Sequence, residues 1–174
     1  REKISSLPDG DVYYEDYLET FGPNGLEPLL LPLRLTIKGD QLTADFTGVS
    51  PQVPAPVNST LAVTAASVFI TLKSVLDPKH ALNHGSFRPV TVIAPEGTIV
   101  NVTHPAPAGS HGEIRKRVIA CMLGALSQIC PELISADIHR TSFHNLIGGI
   151  DPKTGREFVH YEWSAGGNGG FEGA

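Results

Sequence analysis

The sequence predicts an α/β (mixed α+β) fold in which two β-hairpins and further strands pack with two main helices. Three observations carry this. Apolar residues alternate on both sides of a Gly39-Asp40 turn; apolar residues recur at helical spacing in two separate stretches; and a turn-forming cluster at 151–155 parts two strand-like runs.

Taken in order, residues 1–7 read as the last turns of a helix, stopped by Pro8-Asp9-Gly10. Residues 13–19 are acidic and aromatic and fit either strand or loop. Leu33, Leu35 and Ile37 alternate with Arg34, Thr36 and Lys38, and Leu42, Ala44 and Phe46 repeat the pattern on the return, a β-hairpin. Prolines space out residues 51–56, which cannot be helical. Asn58 and Ser59 are both suited to cap a helix over 60–76, with Leu61, Ala65, Val68, Leu72 and Leu76 at helical spacing and Pro78 as its stop. Its β-branched residues (Val63, Thr64, Val68, Ile70, Thr71) lower helix propensity, so tertiary packing must hold it. Residues 88–94 and 98–102 read as strands parted by Pro95-Glu96-Gly97. Ser110-His111-Gly112-Glu113 reads as a capping box opening a second helix, with Val118, Met122, Ala125, Leu126 and Ile129 on one face and Pro131 ending it. Residues 138–150 and 157–164 form the second hairpin.

The 174 residues fit one domain, or a fragment of one, and the reading is a piece truncated at both ends of a larger subunit. With 41% hydrophobic and 18% charged residues the chain is not intrinsically disordered. No apolar run approaches the ~20 residues that cross a bilayer, and residues 1–11 carry no secretory pattern. A net charge of −5 argues against nucleic acid as the main partner. Glycine (18) and proline (14) are abundant enough to predict many turns. Cys121 and Cys130 read as points on opposite faces of one helix, unsuited to a disulfide, and as small buried hydrophobes of a reducing, cytoplasmic setting.

Asp45 follows the outward side of its strand. It is either a solvent-facing or turn-capping carboxylate, or a site carboxylate at a strand end. Asn83, Gly85 and Arg88 share the segment Asn-His-Gly-Ser-Phe-Arg. Arg88 suits a carboxylate or phosphate; alternatively Asn83 and Arg88 pin the loop through backbone carbonyls. Arg115-Lys116-Arg117 sits at a helix start that disfavours cations. It faces either an anion or acidic partner, or plain solvent, and the solvated reading is preferred. His144, His160 and Glu162 fall on one face of the second hairpin if its turn centres near Lys153, a trio that a one-residue slip destroys; chance clustering is the favoured account. No metal is assigned. Neither GxxxxGK[ST] nor GxSxG occurs, so neither a phosphate loop nor a nucleophile elbow is read here.

Read as an ordered series, LPDGDVYYED (7–16), GDQLTADFTGVSPQVPAPVN (39–58), NHGSFRP (83–89), APEGTIVN (94–101), PAPA (105–108) and AGGNGG (165–170) resemble the hydantoinase B/oxoprolinase family over nearly the whole chain. Val49 stands where the family more often has threonine. The resemblance implies part of a B-type subunit that opens cyclic amides (hydantoins or 5-oxoproline) with ATP and Mg bound by an actin-like, hydantoinase A-type partner. The alternatives are an acetone- or acetophenone-type carboxylase, and a docking module without chemistry of its own. Within the first scheme Asp45 and Arg88 are the expected catalytic residues. Asn58, Asn83, Gly85, Gly166, Gly167 and Gly169 are the expected substrate contacts. The piece alone is expected to be inactive without the rest of its subunit.

Overall fold

The computed structural model describes residues 1–19, 27–142, 144–167 and 169–170; Asn168 of the glycine-rich motif lies outside them. After a short helix α1 (Glu2–Ser5) come strands β1 (Gly10–Leu18), β2 (Leu29–Lys38) and β3 (Gln41–Asp45), then helix α2 (Leu61–Leu76) and strand β4 (Val90–Ile93). Helix α3 (Gly112–Leu126) and strands β5 (His144–Ile150) and β6 (Glu157–Trp163) complete the order. The mixed α/β reading holds.

The main sheet runs β1-β2-β3-β4, antiparallel except for the β3–β4 pair. That parallel pair needs a crossover, and α2 supplies it. Leu29, Leu31, Leu33, Leu35 and Ile37 turn one face of β2 inward, where α3 lies across β1 and β2. Ile114, Val118, Cys121, Met122, Ala125 and Leu126 form the buried stripe of α3, and α2 packs beside it through Val68 and Leu72. The outer face carries Asp11, Tyr13, Glu15, Tyr17 and Arg34.

Four local expectations are corrected. Helix α2 is capped by Thr60, whose side chain accepts from the Val63 amide, and not by Asn58 or Ser59. At α3 the cap position is His111, which makes no side-chain bond there. Glu113 instead reaches away from its own helix start, accepting from Thr141 Oγ1 (2.7 Å) and the Ser142 amide (2.9 Å). Residues 98–102 form no strand; they make isolated bridges and single bonds to the 50–59 loop, Ile99 to Ser50 and Val102 to Ser59. Finally, α3 ends at Leu126, so Cys130 lies beyond it; both cysteines are free and buried, and burial pushes the Cys121 thiol far above its ordinary value.

The second hairpin forms, but β5 begins at His144 rather than 138. Its register sets His144 against Trp163 and Asn145 against Glu162. That is one residue from the register the His144/His160/Glu162 trio needs, so His144 and Glu162 point to opposite faces. Among the described residues no three His, Cys, Asp or Glu side chains gather as a metal site.

Candidate functional site

Phe87 of the first glycine-containing motif and the glycines of the second line two adjacent cavities that share Ile70 and Arg115, while Asn83, Gly85 and Arg88 line neither. Asn83 precedes a 3-10 turn, His84–Phe87, with loose reciprocal contacts between its side chain and backbone and Ser86. Gly85 belongs here for a steric reason: a Cβ would sit 3.1 Å from Asn83 Oδ1. Phe87 stacks on Phe69 of α2, centroids 4.2 Å apart, which docks the turn on the helix. Arg88 follows, exposed, and its guanidinium makes no hydrogen bond or ion pair among the described residues.

A cavity of about 480 Å³ runs from Leu82 and Phe87 to Ile70 and Arg115. A second, of about 730 Å³, continues from Ile70 and Arg115 to Lys116, Ile119, Ile138 and the residues Ala165, Gly166, Gly167 and Gly169. The lining combines apolar side chains with the cations Arg115 and Lys116, and the size suits a small organic molecule. Such a groove can hold an anionic or phosphorylated ligand with an apolar body.

Gly166, Gly167 and Gly169 line the second cavity. Two of them are approached closely, but by their own chain. A Cβ on Gly166 would lie 2.0 Å from the His139 ring, and one on Gly169 would lie 2.0 Å from the Ala136 carbonyl oxygen. The Ala136 amide donates to the Gly170 carbonyl at 2.7 Å, zipping the two segments together. Gly169→Ala is therefore expected to cost about 1–3 kcal/mol, as overpacking against backbone does, and to speed exchange of the Ala136 amide. Native melting and exchange would show that the segments are not held this way.

The two expected catalytic residues do not meet. Asp45 is in register with Ile93 at the far end of β4, while Arg88 precedes its first residue. The three strand steps from Val90 to Ile93 alone span ~10 Å, with the Arg88-Pro89 turn beyond them. Asp45 Oδ1 accepts from the amide (2.8 Å) and hydroxyl (2.6 Å) of Thr47, so it caps the turn after β3. Asn58 is fully buried. Its Nδ2 donates to the carbonyls of Val53, Ala55 and Pro107, and its Oδ1 accepts from the Val53 amide.

The basic trio divides three ways, which corrects the uniformly solvated reading. Arg115 lies over the Trp163 ring, 5.7 Å from its centroid. Lys116 lines the groove. Arg117 is largely buried and binds both oxygens of Asp16 at 3.1 Å, with Arg140 at 2.9 Å from the same carboxylate and 2.5 Å from Asp137. Sequence reading missed Asp16, although two signals were present. Asp16 continues the inward series Val12, Tyr14, Leu18, and Arg117 lies on the buried helical stripe between Ile114 and Cys121.

The family model described as Hydantoinase B/oxoprolinase matches residues 1–174. A protein of Pseudomonas sp. (strain NS671), whose name is a provisional one for the B-type component of a D-/L-hydantoinase, is 32% identical over 79% of this chain and 25% of its own length. The crystal structure of an ATP-dependent caprolactamase from Pseudomonas jessenii is similar over 90% of this chain and 27% of that one, with TM-score 0.78 and 27% identity. Nucleotide-free acetone carboxylase shares the fold, with TM-score 0.79 at 17% identity over 94% of this chain and 24% of that one. The chain thus spans about a quarter of the length of each of these three proteins.

Proposed function

Because the chain belongs to the hydantoinase B/oxoprolinase family, we propose that it is one part of the B-type subunit of an ATP-dependent cyclic-amide hydrolase. The likeness to the caprolactamase over 90% of the chain carries this reading. A lactam or hydantoin carbonyl is a poor electrophile. Phosphorylation of its oxygen at the expense of ATP makes a leaving group, and water then adds at carbon. ATP and Mg belong, in this reading, to a hydantoinase A-type partner, in a cytoplasmic hetero-oligomer.

The groove supplies what such a step asks of this chain. Its cations, Arg115 and Lys116, suit a phosphoryl or carboxylate group, and Ile70, Ile119 and Ile138 suit the ring. Arg88 lines neither cavity, but it follows directly on Phe87, which does, and its donors are uncommitted. Gly166, Gly167 and Gly169 shape one wall. Asp45 and Asn58 enter as residues that hold their loops.

The test uses the intact subunit with its ATPase partner. Phosphate release from ATP is followed with 5-oxoproline, hydantoin or caprolactam, and separately with acetone plus bicarbonate. Release coupled to ring opening supports the proposal. Release that requires ketone and bicarbonate makes the protein a carboxylase, and silence across the panel removes both. Arg88→Ala is expected to lower kcat/KM about tenfold or more, the loss of one charge-assisted contact; unchanged turnover takes Arg88 out of the site.

A further inference from the structure

Strands β5 and β6 stand out from the body with every residue exposed. Leu146 (70%), Ile150 (66%) and Val159 (74%) are among the most exposed large apolar side chains. The register sets His144, Leu146, Gly148 and Ile150 opposite Trp163, Tyr161, Val159 and Glu157. Cross-strand partners share a face, so Leu146, Ile150, Val159, Tyr161 and Trp163 make one apolar patch. Ile147 and Phe158 lie on the reverse. The base is fixed: Ser142 is tied to Glu113, Gly170 to Ala136, and Arg115 lies over Trp163.

A two-stranded hairpin is marginal in water alone. Two open edges invite pairing, and a contiguous apolar patch marks an interaction surface. Apolar residues on both faces fit a permanently buried surface, as obligate contacts are more apolar than transient ones. We propose that the hairpin is completed within its own subunit: an apolar strand from the part of the longer polypeptide outside this chain adds to a hairpin edge, and that part covers the Leu146–Val159–Tyr161 face. The relatives' lengths say where such an occupant comes from, since about three quarters of each solved relative lies beyond the matched segment. The inference rests on reading the chain as one part of a B-type subunit.

Hydrogen exchange on the intact subunit without its partner tests this. Amides of 144–150 and 157–163 should exchange at least about 100-fold more slowly than those of the 152–155 turn. Equal rates would overturn the proposal. In the same subunit, Val159→Asp should lower the melting temperature by several degrees while Lys153→Asp, in the exposed turn, leaves it unchanged; equal melting of the two variants would also overturn it. If Val159→Asp melts normally and loses only self-association or co-elution with the ATPase, the occupant is a second copy or the partner, and the proposal fails. Turnover is read separately. A protected hairpin in a subunit silent across the substrate panel would remove the hydrolase reading and leave this one standing.

Discussion

Asn58→Ala is expected to destabilise the fold by about 3–5 kcal/mol, the scale for breaking a buried hydrogen-bond network. The side chain is wholly buried, and its amide closes its own loop through Val53 and Ala55 and ties it to Pro107. Truncation leaves the Val53 amide and three carbonyls without their partner in a space too apolar for them. Asn58→Asp should be at least as damaging. It keeps an acceptor for the Val53 amide, but sets a carboxylate against three carbonyl oxygens it can no longer satisfy as a donor. Chemical denaturation of both variants checks the order. An Asn58→Asp protein as stable as the wild type would mean the amide does not hold the loop. Because the 51–58 loop precedes α2, which carries Ile70, part of the loss should also appear as a deformed groove.

The elements legible in the sequence are those in which one face is buried. β2 and β3 alternate because α3 covers one side of the sheet, so a one-residue error would expose Leu33, Leu35 and Ile37. The second hairpin has no such constraint. Both of its faces are exposed and both carry apolar residues, so nothing in the pattern separates the observed register from its neighbour, and the histidine trio went with the slip. Residues 98–102 mislead differently. Ile99 and Val100 are fully buried, as a strand's residues would be, but the backbone finds its partners singly: Ile99 in Ser50 and Ser59, and the Val100 carbonyl in the Thr64 hydroxyl of α2.

Capping signals failed where a side chain had a better use. Asn58 and Glu113 are both suited to helix starts. Tertiary contacts claim them instead, for the 53–58 loop and for Thr141 and Ser142. The candidate site was legible as motifs and not as a place. The Asn83–Arg88 turn and the 165–170 segment were singled out by composition. Their common neighbours, Ile70 on α2 and Arg115 on α3, depend on how two helices pack side by side, which no local pattern states.

Asp16→Asn is the second large effect, expected at about 3 kcal/mol, the low end for breaking a buried ion pair, because it leaves the part-buried Arg117 without its counter-charge. The Asp16 side chain is 8% exposed, against 20% for Arg117 and 29% for Arg140. The hydrogen bond that Arg140 donates to Asp137 is the main cause holding its guanidinium above even the ordinary high value. With Asp16 neutral, Arg140 keeps Asp137, but Arg117 loses its carboxylate while its Nε already lacks a partner. Removing the cation as well should restore part of the loss, so Asp16→Asn with Arg117→Gln is expected to be more stable than the sum of the single changes. Strict additivity in denaturant titrations would show that the pair is not coupled. The exposed Asp11–Arg34 pair is the control, and Asp11→Asn should barely move the midpoint. The consequence reaches the groove: Arg140 ties the 135–142 segment to β1, and Ser135, Ile138 and His139 of that segment form its wall. Exchange of those amides should rise in Asp16→Asn before the main sheet opens, and turnover in the intact complex should fall with it.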